Sequence, residues 1–302
     1  MTLPSSEASV IRTYDASGDA ESVHELWCRA LGEAWPVDRA RFGSVVREGL
    51  VAVCDERIVG VAACVAGESV GSLQLLLVDP AQRGRGIGGS LLQGTLEYLG
   101  RRGVGRVHLA GTPGPYFWPG LPADLRAARP FLEKRGWAFH GSCWDLVRSL
   151  HHYETPADVR LRQADLTYRW VTPADRDRLL EFERAHFPYW EGYYARDEAL
   201  DEAVIAVDGS GSIVGSLLAT DFRRPQLWRG ILGDDSGAIG AVGVHESQRG
   251  RGAGTALVAF ACDQLRARGV RQCHIGWTTL LTFYGRLGFQ PWREFESATH
   301  DA

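Results

Sequence analysis

Two short glycine-rich segments carry the clearest chemistry in the sequence. Each follows an apolar run, reads Gln-Arg-Gly-Arg-Gly-x-Gly and leads into an amphipathic stretch. Glycine lets several backbone N–H groups converge on one anion, and a following helix adds unpaired N–H groups and the positive end of its dipole. We therefore expect a phosphate or pyrophosphate at each segment. The residues predicted to bind it are Arg83, Gly84, Arg85, Gly86, Ile87 and Gly88 in the first segment, and Arg249, Gly250, Arg251, Gly252, Ala253 and Gly254 in the second.

Two known phosphate motifs do not account for both segments. The dinucleotide pattern GxGxxG matches residues 84–89 by letter but fails in the second segment, where Thr255 stands at the last glycine position. A P-loop needs a lysine after the glycines, and neither segment has one. Arg-x-x-Gly-x-Gly is the pattern common to both. A tight strand-to-helix turn with solvated arginines would explain one copy, but two copies in the same setting favour binding.

The two segments belong to a longer internal repeat. Val78 and Val244, which precede them, are 166 positions apart (244 − 78). Further on, FLEKRGW at 131–137 corresponds to FYGRLGF at 283–289, now 152 positions later (283 − 131). The first half therefore contains an insertion of 14 residues (166 − 152). Self-similarity over this length indicates a duplicated domain.

The repeat also predicts the elements that position the glycine-rich segments. In each half, a hairpin of apolar strands and a third strand precede the turn, and a helix, a strand and a glycine-terminated helix follow it. We predict an α/β (α+β) fold with an N-terminal domain at 1–155 and a C-terminal domain at 156–302. The polar segment 151–163 either links them near Pro156 or contributes a last strand of the first domain at 159–161. Each half is expected to end in a strand of its own.

The insertion includes residues 111–123, which read GTPGPYFWPGLPA. Its prolines and glycines predict a loop, and Tyr116, Phe117 and Trp118 give it an apolar tip. The loop either forms one wall of a substrate site or packs its aromatic side chains onto its own domain or the other one.

The composition narrows the class of protein. The chain has 302 residues, 45% of them apolar and 23% charged, which is typical of globular domains. A net charge of −4 gives no electrostatic support to nucleic-acid binding. The six cysteines lack metal-like spacing, so we expect reduced thiols and no metal site. No apolar run has the length of a membrane span. We predict a cytoplasmic monomer or homodimer with no membrane or nucleic-acid partner.

On these motifs, both halves resemble domains of the GNAT superfamily of N-acyltransferases over nearly their whole length. The resemblance implies two GNAT domains, each a mixed, mostly antiparallel sheet flanked by helices, with two neighbouring strands splayed apart to admit acyl-CoA. Arg-x-x-Gly-x-Gly would bind the CoA pyrophosphate. The tandem organisation resembles that of mycothiol synthases, whose second half is the active one. The pantetheine arm would pair like an added strand with Leu76, Leu77 and Val78, or with Val242, Gly243 and Val244.

The same resemblance implies direct acyl transfer from the thioester to an amine. In the family, the leaving thiolate is often protonated by a tyrosine on the helix before Gly-Phe, a position that Tyr284 occupies. A phenol and a thiol lose protons in a similar pH range, so the proton can be shared as charge develops on sulfur. Leu132 stands at this position in the first half and has no proton to give. We therefore expect turnover in the C-terminal half.

The general base is not visible in the sequence. Many family members carry a glutamate in the strand before the loop, whereas residues 237–243 read GAIGAVG and the first half offers only Gln74. His108 and His274 share a repeat position, which indicates a structural need at least as strongly as chemistry. The other candidates are more typical of surface or helix-end positions: His186, Glu191, Asp234, Asp235 and His245.

The leading hypothesis is an acetyl-CoA-dependent N-acetyltransferase acting on a small-molecule primary amine. Its N-terminal half would bind CoA structurally or be degenerate. One alternative is a non-catalytic acyl-CoA sensor or scaffold, which the missing strand glutamate favours. Another is a protein N-acetyltransferase, which needs an open groove. The aromatic stretch FPYWEGYY at 187–194 favours an enclosed pocket and hence a small acceptor.

Overall fold

The computed structural model describes residues 9–114, 116–162 and 166–301. The chain forms two compact units, unit 1 (Met1–Cys143 and Arg293–Ala302) and unit 2 (Trp144–Trp292). The elements up to residue 137 are β1 (Val10–Thr13), α1 (Ala20–Leu31), α2 (Arg39–Val45), β2 (Gly49–Cys54), β3 (Arg57–Ala66), β4 (Val70–Val78), α3 (Ile87–Gly100), β5 (Arg106–Leu109), β6 (Leu121–Pro122) and α4 (Ala128–Glu133). The elements that follow are β7 (Ala138–Ser149), α5 (Ala157–Arg162), β8 (Thr167–Trp170), α6 (Arg176–His186), α7 (Glu191–Tyr194), α8 (Ala199–Glu202), β9 (Ala203–Val207), β10 (Ile213–Thr220), α9 (Arg229–Leu232), β11 (Ser236–Val244), α10 (Ala253–Ala267), β12 (Gln272–Thr278), α11 (Leu281–Gly285) and β13 (Gln290–Asp301).

Each unit is built on a mixed sheet, as predicted. In unit 1 the strand order is β1-β2-β3-β4-β5-β13, and in unit 2 it is β7-β12-β11-β10-β9-β8. The pairings of β4 with β5 and of β11 with β12 are parallel, and the other described pairings within each unit are antiparallel. Within the described helices, none is long and apolar enough to cross a membrane.

The last strand of each unit comes from the other half of the sequence. In unit 2, β7 pairs with β12 from Ser149 to Trp144, although the repeat places β7 at the end of the first half. In unit 1, β13 pairs with β5 between Thr299 and Asp301. The units therefore differ from the predicted domains at 1–155 and 156–302 in their final strands. The partner of a strand is determined by tertiary packing, which the local sequence pattern does not specify.

The predicted linker within 151–163 is also more ordered than expected. Ala157–Arg162 forms α5, whose Val159 is buried in the core of unit 2 beside Tyr153. Gln163, the end of that predicted linker, lies outside the described residues.

Each sheet opens at one point. The parallel pairing of β4 with β5 covers Val70–Leu73, and that of β11 with β12 covers Ser236–Ile239. Beyond these residues, the described parts of β4 and β5, and of β11 and β12, are no longer paired with each other. A β-bulge lies at the opening in both units, where β3 and β4 shift register between Ala63 and Cys64 and β10 and β11 shift between Ser216 and Leu218. Bulges of this kind re-aim side chains beside a site.

Unit 2 has a core on each face of its sheet. On one face α10 and α11 pack against strands β10 to β12, with Ala256, Leu257 and Ile275 buried. On the other face α6, α7 and α8 contribute Leu179, Tyr194 and Ala199. The opening between β11 and β12 is thus enclosed by apolar layers.

Candidate active site

The same turn follows the open strand in both units. After β4 and after β11 the chain makes a short 3-10 turn and enters α3 or α10. Gly86 and Gly252 precede these helices in the left-handed region, with φ of 84° and 88°. Residues other than glycine rarely adopt this backbone, because their Cβ meets the following carbonyl. The first N–H groups of α3 and α10 have no partner within their own helix and lie at this turn.

The space outside the first loop is open. A Cβ atom added at Gly84 or Gly86 would meet no protein atom within 4 Å, and the same is true of Gly250 in the second loop. The arginines named in the sequence analysis are exposed in both loops. Two of them also brace the turn, because Nε of Arg83 donates to the carbonyl of Val78 over 3.2 Å and Nε of Arg249 to that of Val244 over 3.3 Å. The loops therefore retain room and charge for an anion.

The last glycine of each motif has a packing contact. A Cβ atom at Gly88 would lie 3.5 Å from the Phe131 ring of α4, and one at Gly254 would lie 3.4 Å from the Phe283 ring of α11. These two phenylalanines share a repeat position. The contact fixes α11, and with it Tyr284, against the first turn of α10.

One edge of the predicted pantetheine strands is paired and the other is open. Leu76, Leu77 and Val78 pair with β3, and Gly243 and Val244 pair with β10. Pairing with the parallel neighbour has already ended at Leu73 and Ile239. An extended ligand can therefore hydrogen-bond to the open edge as a further strand.

The insertion packs against β4 at the start of the opening in unit 1. Ser72 and Gln74 of β4 both donate to the carbonyl of Pro113, and Gln74 also donates to that of Gly111 over 2.9 Å. Phe117 and Trp118 are buried against Trp27 of α1, with ring centroids 5.3 and 5.4 Å away. Of the two readings left open by the sequence, the structure shows the loop packing its aromatic side chains on its own unit.

Tyr284 lies in the core of unit 2. It is on α11, 5% exposed, in the same apolar cluster as Ile239 and Ile275, the last paired residues before the opening. Burial raises the pKa of Tyr284 to about 12, so the phenol keeps its proton at neutral pH. Leu132 is buried at the matching place in unit 1.

The base candidates from the sequence are engaged elsewhere or exposed. Glu191 accepts hydrogen bonds from Arg184, at 2.7 and 3.0 Å. His186 stacks edge-on with His245, whose Nδ1 accepts from the backbone N–H of Ser247. The side chain of Asp234 is 99% exposed, and Asp235 is also exposed. None of them lies in a built site within the described part of unit 2.

His274 is a satisfied core histidine. Its Nε2 is 3.0 Å from Oδ2 of Asp145 in β7, which is fully buried. The other carboxylate oxygen accepts from the backbone N–H of Trp277, which has a left-handed φ of 53°. The pair therefore holds the end of β12 in an unusual conformation beside the opening. His108 lies on β5, and burial lowers its pKa.

Glu183 was not among the residues predicted from the sequence. This side chain on α6 is 0% exposed, and its Oε1 accepts a hydrogen bond from Ser216 of β10. Burial raises the pKa of its carboxyl group to about 7. The sequence offers one signal of this burial. Glu183 follows Phe182 directly and lies on the buried face of an otherwise charged helix.

Comparisons with known proteins identify the family of the chain. A family model described as the acetyltransferase (GNAT) family matches residues 20–115 and 164–289. The chain is 28% identical over 229 residues to the mycothiol acetyltransferase of Nocardia farcinica, covering 71% of this chain and 69% of that protein. It is 29% identical over 239 residues to the mycothiol acetyltransferase of Thermobispora bispora, covering 72% of each.

Solved structures show the same fold. One is described as a GCN5-related glucosamine N-acetyltransferase region in a fungal multi-domain GH3 β-N-acetylglucosaminidase. Its TM-score is 0.88 at 27% identity, over 97% of this chain and 38% of that one. A tandem GNAT protein from the clavulanic acid biosynthesis pathway matches with a TM-score of 0.67 at 18% identity, over 97% and 98% of the two chains. The chain therefore belongs to the acetyltransferase (GNAT) family, as an N-acetyltransferase with two GNAT regions.

Proposed function

We propose that unit 2 transfers an acetyl group from acetyl-CoA to the primary amine of a small molecule. The observation that carries this proposal is the opening between β11 and β12, because β11 leads from it into the loop at Gly252 and its last paired residues, Ile239 and Ile275, share an apolar cluster with Tyr284. The pyrophosphate binds at residues 249–254 and the pantetheine arm pairs with residues 242–244. In this proposal the thioester lies at the bulge near Ala241, between the two apolar layers of unit 2.

Tyr284 serves as the general acid. Its hydroxyl donates to the sulfur as the C–S bond breaks, which stabilises the developing thiolate. The raised pKa of Tyr284 keeps it protonated until that moment. A thiol normally loses its proton at a lower pH than the phenol of Tyr284 does. Tyr284 therefore shares its proton with the sulfur, and the attacking nitrogen then returns a proton to the phenol.

Unit 1 binds CoA without turnover in this proposal. Its loop at residues 83–88 and its open edge at residues 76–78 match those of unit 2, but Pro113 and Gly111 fill the space behind Gln74. Leu132 also leaves it without an acid. The insertion thus favours a structural CoA site over a second catalytic centre.

The proposed acceptor class rests on the names of similar proteins. Two of them are mycothiol acetyltransferases, and the fungal structure is described as a glucosamine N-acetyltransferase region. Glucosamine is therefore the first amine to test, within a panel of primary amines that includes amino acids and a lysine peptide. We expect amine-dependent release of CoA thiol from acetyl-CoA, with the small amines preferred. Acetyl-CoA binding without thiol release for any amine would instead support the sensor or scaffold alternative, and preference for the peptide would support a protein acetyltransferase.

Gly86→Val and Gly252→Val test the two pyrophosphate loops separately. Valine strains a backbone with φ above 80° and puts a side chain where the anion must approach. By calorimetry, the wild-type chain should bind about two CoA molecules and each variant about one. Only Gly252→Val should raise the KM for acetyl-CoA. If the wild-type chain binds only one CoA, one of the two loops does not bind it. The variant that still binds CoA would then carry its substitution in that loop.

A further inference from the structure

An unusual buried carboxylate lies next to the strand proposed to hold the thioester. Glu183 is 0% exposed, and its Oε2 has no hydrogen-bond partner among the described residues. Its Oε1 accepts from Ser216, which is itself 0% exposed. Buried carboxyl oxygens are rarely left without a donor, so this one needs an explanation.

The strand register fixes the position of Glu183. Ser216 of β10 is the register partner of Gly243 of β11, and neighbouring strands lie about 4.8 Å apart. Directly after α6 ends, the ring of Phe187 lies over Gly243, where an added Cβ would be 2.5 Å from it. Glu183 and the C-cap residue Phe187 therefore both lie next to the proposed pantetheine strand or its neighbour β10.

A tyrosine connects this carboxylate to the bulge. The hydroxyl of Tyr194 on α7 donates to the carbonyl of Ala241 over 2.7 Å, and Ala241 has a left-handed φ of 48°. The charge of Glu183 acts on Tyr194, and both burial and that charge raise the pKa of the phenol. Glu183, Ser216 and Tyr194 thus form one polar cluster behind the point where the thioester would lie.

We propose that Glu183 is the general base of the acetyl transfer, and this rests on the proposed function of unit 2. The ammonium of the acceptor gives one proton to the free Oε2, directly or through one water. The neutral amine then attacks the carbonyl carbon, so that the N–C bond forms and the C–S bond breaks. The second nitrogen proton replaces the one that Tyr284 gives to sulfur. Glu183 finally returns its proton to solvent, and the products are the amide, the thiol and one proton.

The other groups around Glu183 are accounted for. Ser216 comes from β10 and Tyr194 from α7, and the adjacent strand β11 presents Ala241 and Gly243, which do not titrate. On α6 itself, Arg184 pairs with Glu191 and His186 stacks on His245. In the described part of unit 2, the titration of Glu183 is thus governed by its burial and by Ser216.

The test is the pH dependence of kcat/KM with acetyl-CoA and two accepted amines whose ammonium groups differ in pKa. A rising limb near pH 7 that does not move with the amine belongs to the enzyme. Glu183→Gln should lose this limb and lower kcat/KM by roughly 100-fold or more. Ser216→Ala removes a bond to the charged carboxylate, so it should move the limb to higher pH. Glu202→Gln is the matched control, a buried glutamate of the same unit whose pKa burial also raises, and it should change neither limb nor rate.

Folding of the variant can be checked separately. Since burial raises the pKa of Glu183 from 4.5 to about 7, its ionisation lowers wild-type stability as the pH rises through that range. Glu183→Gln should lack this fall and remain folded at neutral pH. A wild-type limb that persists in Glu183→Gln, or stays in place in Ser216→Ala, would overturn the assignment while leaving the proposed function intact. A wild-type chain with no turnover at all would overturn both.

Discussion

Tyr284→Phe should lower kcat by roughly 100- to 10,000-fold, the usual contribution of a general acid. The change keeps the ring, its place in the core of unit 2 and its edge contact with Phe283, 4.7 Å away between centroids. It removes only the hydroxyl, so the affinity for acetyl-CoA should stay nearly unchanged. Pre-steady-state thiol release would show whether chemistry limits the rate in both proteins.

Tyr153→Phe is the matched control for this experiment. Tyr153 is buried in the same core cluster, and its hydroxyl accepts a hydrogen bond from Thr155 at 3.3 Å. Losing that hydroxyl should leave kcat within a few-fold of the wild-type value. A Tyr284→Phe protein with wild-type kcat, when chemistry is rate-limiting, would remove Tyr284 from the mechanism. Turnover that survives in Tyr284→Phe but fails in a Leu132 variant would assign catalysis to unit 1.

Asp145→Ala should lower the free energy of unfolding by about 3 kcal/mol, because it removes a fully buried carboxylate and leaves the buried His274 without this partner. Asp145 is 0% exposed and serves both Nε2 of His274 and the N–H of Trp277. Denaturant unfolding should show a lower midpoint for unit 2 with an unchanged slope. Asp197→Ala is the control, since Asp197 is 96% exposed and its pair with Arg176 should contribute less than about 1 kcal/mol. A loss no larger than that of the control would show that water replaces the carboxylate.

The features that the sequence predicted are those with a local cause. Glycines with positive φ, an arginine and a following amphipathic segment are all within a few residues of one another, so both loops could be recognised. The parallel strands and the helix of Tyr284 follow from the repeat. The proposed role of Tyr284 came from the resemblance, and its burial came only from the structure.

The features that the sequence did not predict depend on distant contacts. Glu183 reads as one more charge in a charged helix, and only the packing of α6 on Ser216 shows that it is buried. The sequence does not show whether the insertion forms a wall of a site or packs on its own unit. Its position depends on a distant contact, the hydrogen bond from Gln74 to the carbonyl of Pro113. The partners of β7 and β13 are likewise set by tertiary packing, because each strand has the same pattern as its counterpart.

The exchange of final strands bears on the order in which the protein is completed during translation. Domains usually fold as they emerge from the ribosome, the N-terminal one first. Here β5 keeps an open edge until Thr299–Asp301 arrive, so unit 1 begins first and finishes last. In unit 2, β7 is synthesised before β12, so the two strands can pair as soon as β12 has been made. A ribosome that stops before residue 293 would release a chain with an unpaired edge in unit 1, a template for association with other chains.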